Sequence, residues 1–159
     1  MLELLNNTSD THLLLIGPVT AAWYWEELQQ RAEELDLTGR LTVIPGLPPD
    51  SAELLQALKC ADCFILPSRH EPFGIAALEA LDAGVPLIAS AVGGLKDFLR
   101  HGDNALLFED NNVEALCQVY AELDAVRTKL IANGKLTAQE YNWQSLAEKL
   151  TAIYRELIK

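Results

Sequence analysis

The sequence predicts a doubly wound α/β domain, a parallel sheet with helices on both faces. Three observations lead there. Five short apolar runs alternate with stretches of helical period along the 159 residues. The first four runs are almost continuous in apolar residues, as in strands covered on both faces. The connections between them are short, and the length suits a single domain over 1–159 with one core.

In chain order, strands are expected at 12–16, 41–44, 63–66, 87–90 and 105–108. Leu28, Ala32 and Leu35 form one stripe of a helix over 22–35. Asp50 and Ser51 can cap a helix reaching about Leu58, with Glu53 near the capping-box position. A nearly all-apolar helix over 73–83 ends where Gly84 can turn left-handed. Asn111 or Asn112 can cap a helix over 113–123. Asn142 precedes a terminal helix, 143–158, with Trp143, Leu146, Leu150, Ile153 and Leu157 on one side. In such sheets ligands sit beyond the carboxyl ends of the strands, which singles out the loops beginning at Gly17, Pro45, Pro67, Ala91 and Glu109.

Half of the residues are hydrophobic and 22% are charged, a globular composition. The net charge of -11 argues against a nucleic-acid groove, which needs a basic stripe. A phosphate can still be held locally by backbone amides. No apolar run has the length of a membrane span, and the acids and amides among the first ten residues do not fit a signal peptide, so a cytoplasmic location is expected. The three cysteines, Cys60, Cys63 and Cys117, fit reduced thiols. Cys60 and Cys63 spell C-x-x-C, which a redox pair or half a zinc site also uses. No second such motif follows, His12, His70 and His101 are scattered, and Cys63 opens an apolar strand. A small hydrophobe is therefore expected there, and no metal site.

The loop from Pro67 to Gly74 is the most informative. Pro72 suits a first helical turn, so the amides of Phe73, Gly74 and Ile75 are expected to face the cleft with the helix dipole behind them. Gly74 lets a ligand come close. Glu71 in this loop and Glu79 eight residues on are carboxylates suited to the paired hydroxyls of a sugar or ribose. Equally, Glu79 with Asp82 could be a wet helix face, and Glu71 an exposed loop acid. Gly93 and Gly94 allow a nest of amides for an oxygen anion, or a plain turn into a helix over 95–100. The stiff loop around Gly46 and Leu47 could pack a planar base or simply connect strand to helix. Trp23, Tyr24 and Trp25 point around a helix start and are expected to pack the domain.

Read together, these residues resemble the C-terminal, donor-binding domain of retaining GT-B-fold glycosyltransferases of the family 4, group 1 type. The resemblance runs from Leu13 to Tyr154. It rests on Ala61-Asp62-Cys63-Phe64-Ile65-Leu66-Pro67-Ser68, Glu71-Pro72-Phe73-Gly74, Glu79-Ala80, Ala83-Gly84-Val85-Pro86 and Val92-Gly93-Gly94. Supporting pieces are Leu15-Ile16-Gly17, the Gly46 loop, Gly102 with Asn104, and Asn142-Trp143 with Tyr154.

The resemblance implies a Rossmann-like sheet and a nucleotide diphosphate sugar as donor, with no further cofactor. Glu71 would lie by the transferred sugar, the Phe73 and Gly74 amides on its hydroxyls, Glu79 on the ribose, and Gly17, Gly46 and Leu47 beside the base. It also implies what this chain lacks: an N-terminal acceptor domain, the Arg and Lys that clamp the diphosphate, and a first strand that lies mid-sheet in the family. Leu2 to Asn7 matches only the tail of the helix after that strand. Self-association of the chain through open strand edges, and no sugar transfer by the chain alone, follow as expectations. For a longer enzyme the inner face of the membrane is an expected location. A non-catalytic module of the same fold and a nucleotide-sugar epimerase relative are the alternatives.

Overall fold

The computed structural model describes residues 1–48 and 51–158. Five strands, β1 (Leu13–Ile16), β2 (Leu41–Ile44), β3 (Phe64–Leu66), β4 (Leu87–Ser90) and β5 (Leu106–Phe108), alternate with helices. The helices are α1 (Leu2–Asn6), α2 (Ala22–Glu34), α3 (Ala52–Cys60), α4 (Ile75–Ala83), α5 (Leu95–Phe98), α6 (Val113–Glu140) and α7 (Trp143–Leu157). All strand pairs are parallel, as the apolar runs predict.

The sheet is in two pieces. β1 pairs with β2 from Leu13 opposite Leu41 to Ile16 opposite Ile44, and β3, β4 and β5 form a second sheet with β4 central. β1 and β3 do not pair. A cavity of about 650 Å³ lies between them, lined by Leu13 to Ile16 on one side and Cys63 to Ile65 on the other. This is the place the resemblance assigns to a further strand.

The core belongs to the three-stranded half. Ala77, Leu81, Leu87, Leu95, Phe98 and Leu99 pack on one face of it, and Ile88, Leu106, Leu116, Val119 and Leu130 on the other. Gly134 lets α6 cross α4 closely, because a Cβ there would press on the Leu81 side chain.

Several boundaries differ from the sequence reading for physical reasons. α6 does not stop at 123 but runs 28 residues, its stripe continuing through Leu130, Gly134 and Ala138. Asn112, not Asn111, caps it, accepting from Ala115 N at 2.9 Å, while Asn111 turns left-handed just before. Ser51 caps α3 by accepting from Leu54 N, and Asp50 lies outside the described residues. α4 begins two residues later than expected. Gly74 is its left-handed N-cap at φ 100°, so Pro72 and Phe73 precede the helix. α7 fully buries none of its side chains.

Candidate functional site

The carboxyl ends of β3, β4 and β5 are tied into one platform. The Ser90 hydroxyl, buried at the end of β4, donates to the Ser68 carbonyl in the loop after β3 and reaches Leu66 O at 3.4 Å. Ala91 N donates to Phe108 O at 2.8 Å. Two sequence-predicted loops then interlock on this platform. Gly94 N donates to Glu71 O at 2.9 Å, and a Cβ on Gly93 would collide with the Glu71 carbonyl, one on Gly94 with that of Pro72. Gly93 also sits at φ 48°, where a side chain is strained. The glycine pair is required for this close approach and leads into α5, and the Gly94 amide is spent on the Glu71 carbonyl rather than left open for an anion.

Glu71 is half-buried, and its carboxylate accepts from Phe73 N at 3.4 Å. The Phe73 amide is therefore turned to the protein's own carboxylate, and the unshared amides at the start of α4 are those of the first turn, from Ile75 on. Gly74 is buried beneath them; a Cβ would strike Leu95. The Phe73 ring leans on Phe98 and Tyr141, with centroids 6.2 and 6.1 Å away, which anchors the loop to α5 and to the end of α6. Glu79 is exposed one turn further along α4 and borders the cavity between the half-sheets.

Gly17, Gly46 and Leu47 gather at the carboxyl ends of the other pair, β1 and β2. Gly17 N donates to Ile44 O at 3.0 Å, and Gly46, at φ 113°, folds back on Ile44 O. The structure thus brings the ten candidates together as two groups, one at the end of each half-sheet, with the cavity between the halves.

One other expectation is corrected. Trp23 and Tyr24 do not pack the domain; they are 69% and 56% exposed and stack edge-on against each other. The C-x-x-C thiols are free, Cys60 exposed and Cys63 turned toward the α6 cluster. Burial pushes the Cys63 thiol up to about 11, with Arg127 pulling it down and Asp62 adding to the rise, so it is an inert thiol at neutral pH.

Sequence reasoning missed Ser90, whose signal was a hydroxyl closing an apolar strand. It also missed Tyr141, which gave none. Asn104, noted only as part of a motif, is buried and fully used: its amide donates to Phe98 O and Thr137 Oγ1, and its oxygen accepts from Arg100 N.

Comparison with known proteins matches this geometry. The family model described as glycosyl transferases group 1 covers residues 1–125. D-inositol 3-phosphate glycosyltransferase of Corynebacterium urealyticum is 31% identical over 82% of this chain, and that of a Nocardioides species 33% identical over 96%. The chain spans about a third of these relatives, 31% and 36% of their lengths. Sucrose-phosphate synthase of Thermosynechococcus elongatus superposes on 98% of the chain and 41% of its own, with a TM-score of 0.83 and 27% identity. Anabaena HepE in complex with UDP-glucose covers 94% of this chain and 43% of its own with a TM-score of 0.81 at 24% identity, a likeness of fold. Interlocked loops, parallel half-sheets and a family model over most of the chain agree: the chain belongs to the group 1 glycosyl transferases, with a GT-B fold.

Proposed function

We propose that this chain is the donor-binding part of a retaining glycosyltransferase, taking a nucleotide diphosphate sugar and serving transfer to a hydroxyl acceptor. The observation that carries the proposal is the interlock of the Glu71 loop with Gly93 and Gly94. It sets a carboxylate, a helix start and an exposed glycine turn side by side at one strand edge. A helix start attracts anionic oxygens, while a carboxylate accepts from sugar hydroxyls.

In this reading the bond from the anomeric carbon to the diphosphate breaks, and one to the acceptor oxygen forms. The leaving phosphate takes the acceptor proton. Positive charge builds on the sugar in the transition state. Glu71 lies where its carboxylate can answer that charge. Its bond to Phe73 N is long at 3.4 Å, and is easily exchanged for one from the sugar. Glu79 accepts from the ribose, and Gly17, Gly46 and Leu47 flank the base. UDP-glucose, with which HepE is in complex, is a ligand of this class.

The chain alone is expected to bind donors weakly and to transfer no sugar. Its charge of -11 repels a diphosphate, and sugar transfer needs an acceptor aligned beside the donor. Calorimetry with uridine, guanosine and adenosine diphosphates tests the site. Glu79→Ala should weaken the best of them by one to two decades, the worth of a charge-assisted hydrogen bond of about 1.5–3 kcal/mol. Equal binding by both proteins removes Glu79 from the site. Measurable transfer by the purified chain overturns its dependence on an acceptor-binding part. In an enzyme containing both parts, Glu71→Gln should lower kcat more than it raises KM.

A further inference from the structure

We propose that Ser90 is a positioning residue of the site: through its hydroxyl the end of β4 sets the direction of the Glu71 loop, and with it the affinity for the sugar part of the donor. The inference rests on the donor-binding reading and adds to it a residue that lies beneath the loop and touches no substrate.

The sequence places a hydroxyl where the core asks for none. Leu87, Ile88 and Ala89 lead β4 into Ser90, and all four are 0% exposed. A buried hydroxyl without a partner costs free energy, and an alanine or a valine would close the strand without that cost. Ser90 therefore needs acceptors, and both that it finds belong to the chain running out of β3. Its hydroxyl donates to the Ser68 carbonyl and reaches Leu66 O at 3.4 Å.

The loop so held has little else. Residues 67–73 belong to no helix or strand, and all of them but Ser68 and Glu71 are exposed. Those two half-buried residues are the ones whose carbonyls are gripped from the β4–α5 segment: Ser68 O by the Ser90 hydroxyl, and Glu71 O by Gly94 N at 2.9 Å. One grip fixes where Glu71 sits. Two fix the direction in which the chain passes through it, and so where its carboxylate points. The carboxylate's own bond, to Phe73 N, is long at 3.4 Å and holds it only weakly. Past Glu71 the Phe73 ring leans on Phe98 and Tyr141, which secures the exit of the loop. Without Ser90 the entry keeps only the exposed Arg69 side chain, which donates to Asn111 Oδ1 at 3.3 Å in competition with water. The Gly94 amide is main chain and survives any side-chain substitution, so Ser90 is the side chain through which this frame can be tested.

The test is calorimetry on the purified chain with two ligands: the best bound of uridine, guanosine and adenosine diphosphates, and the glucose ester of that diphosphate. Ser90→Ala should weaken the ester about fivefold to tenfold, as when a charge-assisted hydrogen bond loses its aim, and the bare diphosphate less than about twofold. In a Glu71→Gln chain, Ser90→Ala should weaken the ester no further, because two residues acting through one group are not additive. Ser90→Cys keeps nearly the same volume with a weaker donor, so it stays folded even where the alanine variant does not, and it should show the same selective loss at a smaller size. Equal weakening of both ligands makes Ser90 a support of the fold alone and overturns the assignment. A Ser90→Ala loss that persists in full in the Glu71→Gln chain overturns it too, as does an unchanged ester affinity in both Ser90 variants; each of these leaves the donor reading standing. A wild type that binds neither ligand at about millimolar concentration overturns the donor reading itself, and the assignment falls with it.

Discussion

β1 and β4 are both four-residue apolar strands, yet they live in different surroundings. Leu87, Ile88, Ala89 and Ser90 of β4 are each 0% exposed, while Leu14 of β1 is 40% exposed. β4 has a strand on either side and helices above and below; β1 has a strand on one side and a cavity on the other. Composition prepares a strand for burial, and its neighbours deliver that burial. The stability of this chain therefore resides chiefly in the β3–β4–β5 half, and the β1–β2 half contributes less.

The largest expected effect tests that division directly. Ile88→Ala should cost about 2–5 kcal/mol, because a fully buried side chain leaves a cavity behind. Leu14→Ala should cost less than about 1 kcal/mol, since much of its surface is already wet. Denaturant midpoints of the two variants decide it, and similar losses would show that both halves are equally built. Native-state hydrogen exchange should agree, with β1 and β2 amides opening well below the global free energy.

A smaller effect probes the boundary between the halves. Cys63 lines the cavity and also packs against the α6 cluster. Burial holds its thiol neutral up to about 11, above the ordinary value near 9. The folded state keeps a proton that the unfolded chain gives up first. The resulting stability is complete below pH 9 and is lost as pH rises to about 11, on the order of 2 kcal/mol in total. The stability difference between the wild type and Cys63→Ala should shift by that amount across this window. A constant difference means that water already reaches the thiol through the cavity.

The sequence made most of this legible. All five strands fall within one residue of their expected starts, because short continuous apolar runs have few other uses in a globular α/β chain. The loops of Glu71 and of Gly93 with Gly94 were legible as candidates through their residue types, though their interlock was not, since it depends on a contact between Glu71 and Gly94, distant in sequence. α6 was read only to 123, but it continues to Glu140, and Gly134 within it admits Leu81 of the crossing helix. The start of α4 was misplaced because Pro72 suits a first turn, while the left-handed Gly74 takes the cap instead. The open slot could be foreseen only through the family resemblance. Nothing in a local pattern tells a strand with two neighbours from one with a single neighbour.

The smallest effect separates packed from unpacked helix. Asn112 and Asn142 make the same cap, each side-chain oxygen accepting from the amide three residues on, at 2.9 and 2.8 Å. In isolation the two bonds are worth about 1 kcal/mol apiece. α6 carries Leu116, Val119, Leu123 and Leu130 into the core, so fraying its first turn loosens residues that the whole domain depends on. α7 has no fully buried residue, Leu146 is half-buried, and Trp143, Leu150, Ile153 and Leu157 of its apolar side are between 48% and 89% exposed. Asn112→Ala should therefore lower global stability by about 1 kcal/mol, whereas Asn142→Ala should leave the denaturation midpoint nearly unchanged and reduce only the helical signal of the last fifteen residues. Circular dichroism and a denaturant titration on the two variants read both quantities. A loss from Asn142→Ala as large as that from Asn112→Ala would mean that α7 is docked on the domain in solution and that its apolar side has found a surface of this same chain.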